Sequence, residues 1–252
     1  MTTSLKARLA AGDKLLGALL RLGSEELVEM VAVSGFDFVL LDTEHGAADV
    51  GELRRHLVLA QTHGVPVLVR VGGHEPALVL RVLDAGAQGV VAPHVDTPEQ
   101  AQALVASAHY PPTGLRGFAT YGRAGRFGLV SPADHLRAAA ETTLVFGMVE
   151  SPAGVRAVDA IVATPGLDGI MVGTADLRAS STADDPDPAE GLATVHRSLA
   201  AAGRHRMDIV NGRAQAEASF ADGASLVVYN LTATVMGHLA DLRGAHPGPA
   251  AP

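Results

Sequence analysis

Phe36-Asp37-Phe38-Val39-Leu40-Leu41-Asp42-Thr43-Glu44-His45-Gly46 is apolar at four consecutive positions, Phe38 to Leu41, and then turns abruptly polar. A strand with one wet face alternates apolar and polar residues, so an unbroken run marks a strand covered on both sides, as in a parallel sheet. Working outward from 36–42, the same reading finds a run at 14–20 upstream and others at 66–71, 89–93, 143–150, 167–172, 205–210 and 224–229 downstream. Between them the spacing turns helical: Leu53, Leu57 and Ala60 fall at i, i+4 and i+7, and Leu78/Val82 and Val79/Leu83 are i, i+4 pairs. Thr97, Ser131 and Ser151 each precede a proline, a capping hydroxyl ahead of an N1 proline. Eight strands each followed by a helix predict a (β/α)8 TIM barrel. The alternative, an open doubly wound sheet, would carry Gly-x-Gly-x-x-Gly after the first strand, and Leu20-Arg21-Leu22-Gly23 does not supply it.

At 252 residues, 48% hydrophobic and 18% charged, with a mean hydropathy of +0.23, the chain is long and apolar enough for one large core. The expectation is a single barrel domain over 1–243 and a disordered Pro/Ala/Gly tail over 244–252. A net charge of −8 offers no basic face to nucleic acid. No window reaches the ~18 apolar residues of a membrane helix and 1–13 has no leader pattern, so a cytoplasmic soluble protein is expected. There is no cysteine, which excludes disulfides, thiolate metal sites and thiol nucleophiles. Only two lysines occur, Lys6 and Lys14, both at or before the first strand. Schiff-base chemistry needs a pocket amine, so carbonyl chemistry here calls for a metal.

Barrel enzymes gather their chemistry at the carboxyl ends of the strands. The polar residues expected there are Asp42, Glu44 and His45, then Arg70, His94, Glu150 and Asp176. Glu150 and Asp176 follow adjacent strands, which lie about 4.8 Å apart, so both carboxylates can reach one hard cation such as Mg²⁺ or Mn²⁺. Taken singly, either could instead cap a helix. Arg70 ends an apolar strand and needs an anion, either a structural partner in Asp42 or Glu44, or a substrate oxygen. Asp42, three residues before His45, is placed to fix that ring's tautomer and raise its basicity. His56, His63, His109, His135, His196, His205, His238 and His246 read as surface or packing histidines, whereas His45 and His94 are retained by position. Two segments break the rhythm: 110–128, with Pro111, Pro112, Arg116, Arg123 and Arg126, reads as an active-site loop, and 179–190 as a lid or a solvated insertion.

The run 35–46 resembles the metal-dependent pyruvate aldolases of the HpcH/HpaI family, the 4-hydroxy-2-oxo-heptanedioate aldolase group. So do Val69-Arg70, the run 83–89, the run 110–117, Asp168-Gly169-Ile170 and Gly173-Thr174-Ala175-Asp176-Leu177, in family order across roughly Lys6 to Arg243. The resemblance implies a barrel of the phosphoenolpyruvate/pyruvate-binding type and an aldehyde-lyase of class EC 4.1.2. It implies a divalent cation, Mg²⁺ or Mn²⁺ with Co²⁺ as a further choice, held by Glu150 and Asp176. It further implies Arg70 on the keto or enolate oxygen of a 2-oxo acid and backbone amides at Gly173, Thr174 and Ala175 on its carboxylate. His45, oriented by Asp42, is the implied acid/base toward an aldehyde partner, and the implied assembly is a homo-hexamer, a trimer of dimers with exchanged C-terminal helices. Departures gather at the mouth. Met148 stands where the family has Gln, Thr174 and Arg178 replace Pro and Ser, and Asn230-Leu231-Thr232-Ala233 replaces Gly-Val-Asp-Thr. These changes keep a diverged reaction open, either oxaloacetate decarboxylation or addition to a specialised acceptor, and beyond it a non-catalytic 2-oxo-acid-binding barrel.

Overall fold

The computed structural model describes residues 3–46 and 50–245. Eight parallel strands, β1 Leu15–Leu20, β2 Phe38–Asp42, β3 Val67–Arg70, β4 Gly89–Ala92, β5 Leu144–Val149, β6 Gly169–Val172, β7 His205–Val210 and β8 Leu226–Asn230, close in sequence order, with β1 pairing β8. Each lies within a run read as a strand, apart from β8, which extends one residue further to Asn230. Of the tail expected over 244–252, residues 246–252, His246 among them, lie outside the described residues.

The continuous apolar runs are explained by burial on two sides. Leu15, Leu19, Phe38, Leu40, Leu68, Leu144, Phe146, Met148, Met171, Met207 and Leu226 fill the barrel interior. Their neighbours along the strands, among them Ala18, Val39, Leu41, Val69, Val90, Val145 and Ile170, pack outward against the helices. Gly17 makes room inside, because a Cβ there would come within 2.6 Å of the fully buried Phe38 ring. The amino-terminal end is closed by a short helix, α1 (Leu5–Ala10), which adds Leu5 and Leu9 to the interior cluster. Lys6 pins it, its Nζ 2.9 Å from the Thr143 carbonyl and 3.1 Å from Asp168.

The outer layer departs from one helix per strand. α2 (Glu25–Val33), α3 (Val50–Thr62) and α4 (Pro76–Asp84) follow β1 to β3, and α7 (Pro152–Val162), α10 (Arg213–Ala221) and α11 (Leu231–Gly244) follow β5, β7 and β8. Two connections carry a pair: α5 (Pro98–Ala108) with α6 (Pro132–Thr142), and α8 (Thr174–Ser180) with α9 (Pro188–Ala202). Thr97, Ser131 and Ser151 accept the backbone N–H groups of Gln100, Asp134 and Gly154, the expected caps at Pro98, Pro132 and Pro152. Within 179–190, Asp187 accepts the Ala189 N–H and starts α9.

The segment 110–128 does not reach the mouth of its own barrel, contrary to the expectation of an active-site loop. Helix α5 runs back against the strands, so the chain that follows it is delivered to the amino-terminal end. There Arg116 Nη2 sits 2.6 Å from Asp84 Oδ1 at the end of α4, Ala124 donates to the Asp84 carbonyl, and the Arg123 stem packs on Gly86. Among the described residues no helix is long and apolar enough to cross a membrane.

Candidate active site at the carboxyl ends of the strands

Parallel register places Asp42, the last residue of β2, directly opposite Arg70, the last of β3. Both are buried, at 1% and 4% exposure. Arg70 Nε donates to Asp42 Oδ1 at 2.9 Å and its Nη2 donates to Oδ2. Arg21, just past β1, adds a second guanidinium, its Nε 2.9 Å from the same Oδ2 and its Nη1 2.9 Å from Asn230 Oδ1 after β8. Burial alone would push the Asp42 carboxyl up; the Arg70 hydrogen bonds and charge, with the N–H groups of His45 and Glu44, outweigh it and hold the carboxyl below its ordinary range. Arg70 carries the complementary shift: burial disfavours its charge, but Asp42, Glu44 and Glu150 raise it on balance.

The structure therefore gives Asp42 a different task from the one expected. Its Oδ1 accepts the backbone N–H groups of Glu44 and His45 at 3.1 and 3.2 Å, so it shapes the turn that carries His45 rather than binding the ring. Two guanidiniums already occupy the carboxylate. The His45 ring is 56% exposed, with Nε2 3.8 Å from Glu44 Oε2. Arg70 takes both structural partners considered for it, because its Nη1 also lies 3.1 Å from Glu44 Oε2. Met148 is buried in the barrel interior beneath it, Sδ 3.9 Å from Nη1.

Next to this network, β5 delivers Glu150, 3% exposed, and the turn after β4 delivers His94. The His94 N–H donates to Glu150 Oε1 at 2.7 Å and its ring Nδ1 lies 3.1 Å from the same oxygen. This geometry holds His94 at φ 52°, in the left-handed region that non-glycine residues rarely adopt. Gly173, at the end of β6, keeps the other side of the carboxylate clear, since a Cβ there would stand 2.7 Å from Glu150 Cβ and closer still to Oε2. Burial chiefly raises the Glu150 carboxyl; the His94 N–H and ring oppose this, and the negative charges of Glu44 and Asp176 add to it.

One ligand atom from each of Glu44, His94 and Glu150 lies within 4.8 Å of the others. Among the described residues Glu44 Oε2 has the Arg70 guanidinium 3.1 Å away as an ion pair but no well-aligned hydrogen bond. Two carboxylates that repel each other beside an imidazole fit a divalent cation. Asp176, expected as the second ligand, stands exposed in the first turn of α8, near enough for its charge to act on Glu150. Thr174 and Ala175 open the same turn. The sequence reading placed Glu44 at the mouth only as a possible partner of Arg70, and gave no site role to Arg21, Asn230 or His74, whose Nε2 hydrogen-bonds the Pro93 carbonyl. Arg21 and Asn230 share one signal that could have found them, a polar residue directly after or ending an apolar strand.

Residues 17–231 match the profile of the HpcH/HpaI aldolase/citrate lyase family. The 5-keto-4-deoxy-D-glucarate aldolase of Shigella dysenteriae serotype 1 (strain Sd197) is 34% identical over 226 residues, 88% of this chain and 88% of that protein. Among solved structures, an HpcH/HpaI aldolase/citrate lyase family protein from Burkholderia cenocepacia J2315 superposes with a TM-score of 0.87 at 33% identity, covering 96% of this chain and 98% of that one. The citrate synthase SbnG gives a TM-score of 0.85 at 28% identity, with 96% and 97% covered.

Proposed function

Because this chain belongs to the HpcH/HpaI aldolase/citrate lyase family, a family of metal-dependent aldolases and lyases, we propose that it cleaves or forms a 4-hydroxy-2-oxo acid from pyruvate, or a close 2-oxo acid, and an aldehyde. The observation that carries this reading is the cluster of Glu44, His94 and Glu150 beside the Arg70 guanidinium at one mouth. The lysines support it: Lys6 is engaged at the amino-terminal end, and Lys14 donates to the Ala224 carbonyl at 2.7 Å just before β8 begins. Neither amine is placed to form a Schiff base at the mouth.

Glu150 and Asp176 would hold the cation, with Glu44 beside them. When bound, a divalent cation supplies Lewis-acid stabilisation of negative charge on oxygen. Arg70, fixed by Asp42 and charged throughout the pH range, presents Nη1 on the Glu44 side, where it can meet the oxo-acid oxygen that gains charge as the C3–C4 bond breaks. His45, exposed at the rim, takes the C4 hydroxyl proton in cleavage and returns it in synthesis. The first-turn amides of Thr174 and Ala175 accommodate the carboxylate; the Gly173 N–H, expected to join them, is instead donated to the Val149 carbonyl at 3.1 Å. Turnover should vanish with EDTA and return with Mg²⁺ or Mn²⁺; activity indifferent to the chelator rejects the reading.

A second reading keeps the same machinery and changes the reaction to decarboxylation of oxaloacetate or addition to another acceptor. Met148 favours it, an apolar thioether under Arg70 where the family carries an amide, and so does the likeness to a citrate synthase. NMR of products from oxaloacetate with and without aldehydes separates the two. The assembly we infer is a homo-oligomer, because α11 buries none of its described residues and exposes Val235, Met236, Leu239 and Leu242. Sedimentation equilibrium tests this, and a monomer at micromolar concentration would refute it.

A further inference from the structure

We propose that His94 is a nitrogen donor to the cation seat and that this chain therefore favours a borderline ion, Co²⁺ or Zn²⁺, over Mg²⁺. The inference rests on the metal-dependent reading above and adds a ligand to it. His94 lies outside the runs that carry the family resemblance, so its role must be read from its own surroundings.

Three observations carry it. First, His94 Nδ1 and Glu150 Oε1 are 3.1 Å apart. Adjacent ligands of an octahedral ion with bonds of about 2.1–2.2 Å stand roughly 3.0–3.1 Å from each other, so the pair already spans one edge of such a site. Second, Glu150 Oε1 already accepts the His94 backbone N–H at 2.7 Å. That backbone bond anchors the residue, so the ring nitrogen is held beside Oε1, and the oxygen keeps a second lone pair with which to meet a cation that both atoms share. Third, His94 is held in the left-handed region, a conformation that persists where surrounding structure requires it. What it achieves here is to bring an imidazole within 4.8 Å of two carboxylates, one of them buried and the other ion-paired to Arg70. Oxygen-only sites suit Mg²⁺; adding neutral imidazole shifts the preference along the series toward Co²⁺ and Zn²⁺.

The test uses the full chain loaded with Mn²⁺ and pulsed electron paramagnetic resonance, which detects a directly bound nitrogen independently of turnover. The comparison is His94→Gly, whose residue enters the left-handed region freely and keeps the N–H on Glu150; His94→Asn, also tolerant of that region, serves if the first fails to fold. Imidazole ¹⁴N modulation is expected in the parent and absent from the variant. By calorimetry, the ratio of Co²⁺ to Mg²⁺ affinity should fall about tenfold in the variant. Mn²⁺ bound without ¹⁴N modulation in the parent overturns the proposal and leaves the carboxylate site standing. Modulation that survives in the variant assigns the nitrogen elsewhere and likewise overturns it. A parent that binds no divalent ion removes this proposal and the metal-dependent reading together.

Discussion

Arg70 is tied to Asp42 by two hydrogen bonds under almost complete burial, and by its remaining nitrogen to the half-buried Glu44. Truncating one member of such a pair leaves the other charge uncompensated, at a cost on the order of 3–5 kcal/mol. Arg21 still reaches Asp42, so Arg70→Ala should fall at the lower end, about 3 kcal/mol in urea denaturation. The variant should keep its cation affinity and raise the KM for the 2-oxo acid; loss of the cation with the oxo-acid KM unchanged would reverse the assignment. Gly173→Ala makes the complementary prediction. A methyl group pressed against Glu150 should displace that carboxylate and weaken Mn²⁺ binding at least several-fold, read by calorimetry, at a cost of roughly 1–3 kcal/mol in chemical denaturation. At this scale the sequence revealed which residues stand at the strand ends but not whom they face. Asp42 is three residues from His45 and 28 from Arg70, yet parallel register makes the distant residue the partner.

Among the elements, strands were legible for a plain reason. A parallel barrel strand is covered by interior side chains on one side and helices on the other, so even the four-residue β3 and β4 read as apolar runs, Val67-Leu68-Val69 ahead of Arg70 and Val90-Val91-Ala92 after Gly89. The doubled connections were less legible because nothing in a Pro- and Gly-rich stretch says which end of the barrel it lies over; that depends on the direction of the preceding helix. Gly17 on β1 shows how tightly the interior is filled. Gly17→Ala should cost roughly 1–3 kcal/mol in chemical denaturation, because Phe38 opposite it is wholly enclosed and cannot yield. A neutral outcome would mean that the barrel interior can relax around an added methyl group.

Taken whole, the molecule stores a pH dependence away from its mouth. Burial pushes the imidazoles of His109, His135 and His205 below the ordinary histidine range. The unfolded chain takes up these protons near pH 6.5, the folded chain only at lower pH, so unfolding absorbs protons as the solution is acidified. Stability is therefore full above about pH 6.5 and declines below it, by at most about 1.4 kcal/mol per pH unit for each group. The thermal midpoint should drop between pH 7.5 and 5.5, and His109→Gln should make the drop smaller; a flat profile contradicts the assignment.

The plug formed by α1 bears on how the chain comes together in time. Lys6 seats on Thr143, 137 positions away, and on Asp168, while Leu5 and Leu9 belong inside a cylinder whose staves do not all exist until β8 has been made. A segment made before all eight strands must thus wait, its leucines unsheltered, until the last of them has followed it. During that interval the nascent protein displays an adhesive amphipathic stretch that a chaperone could hold, and seating it becomes one of the closing acts of assembly.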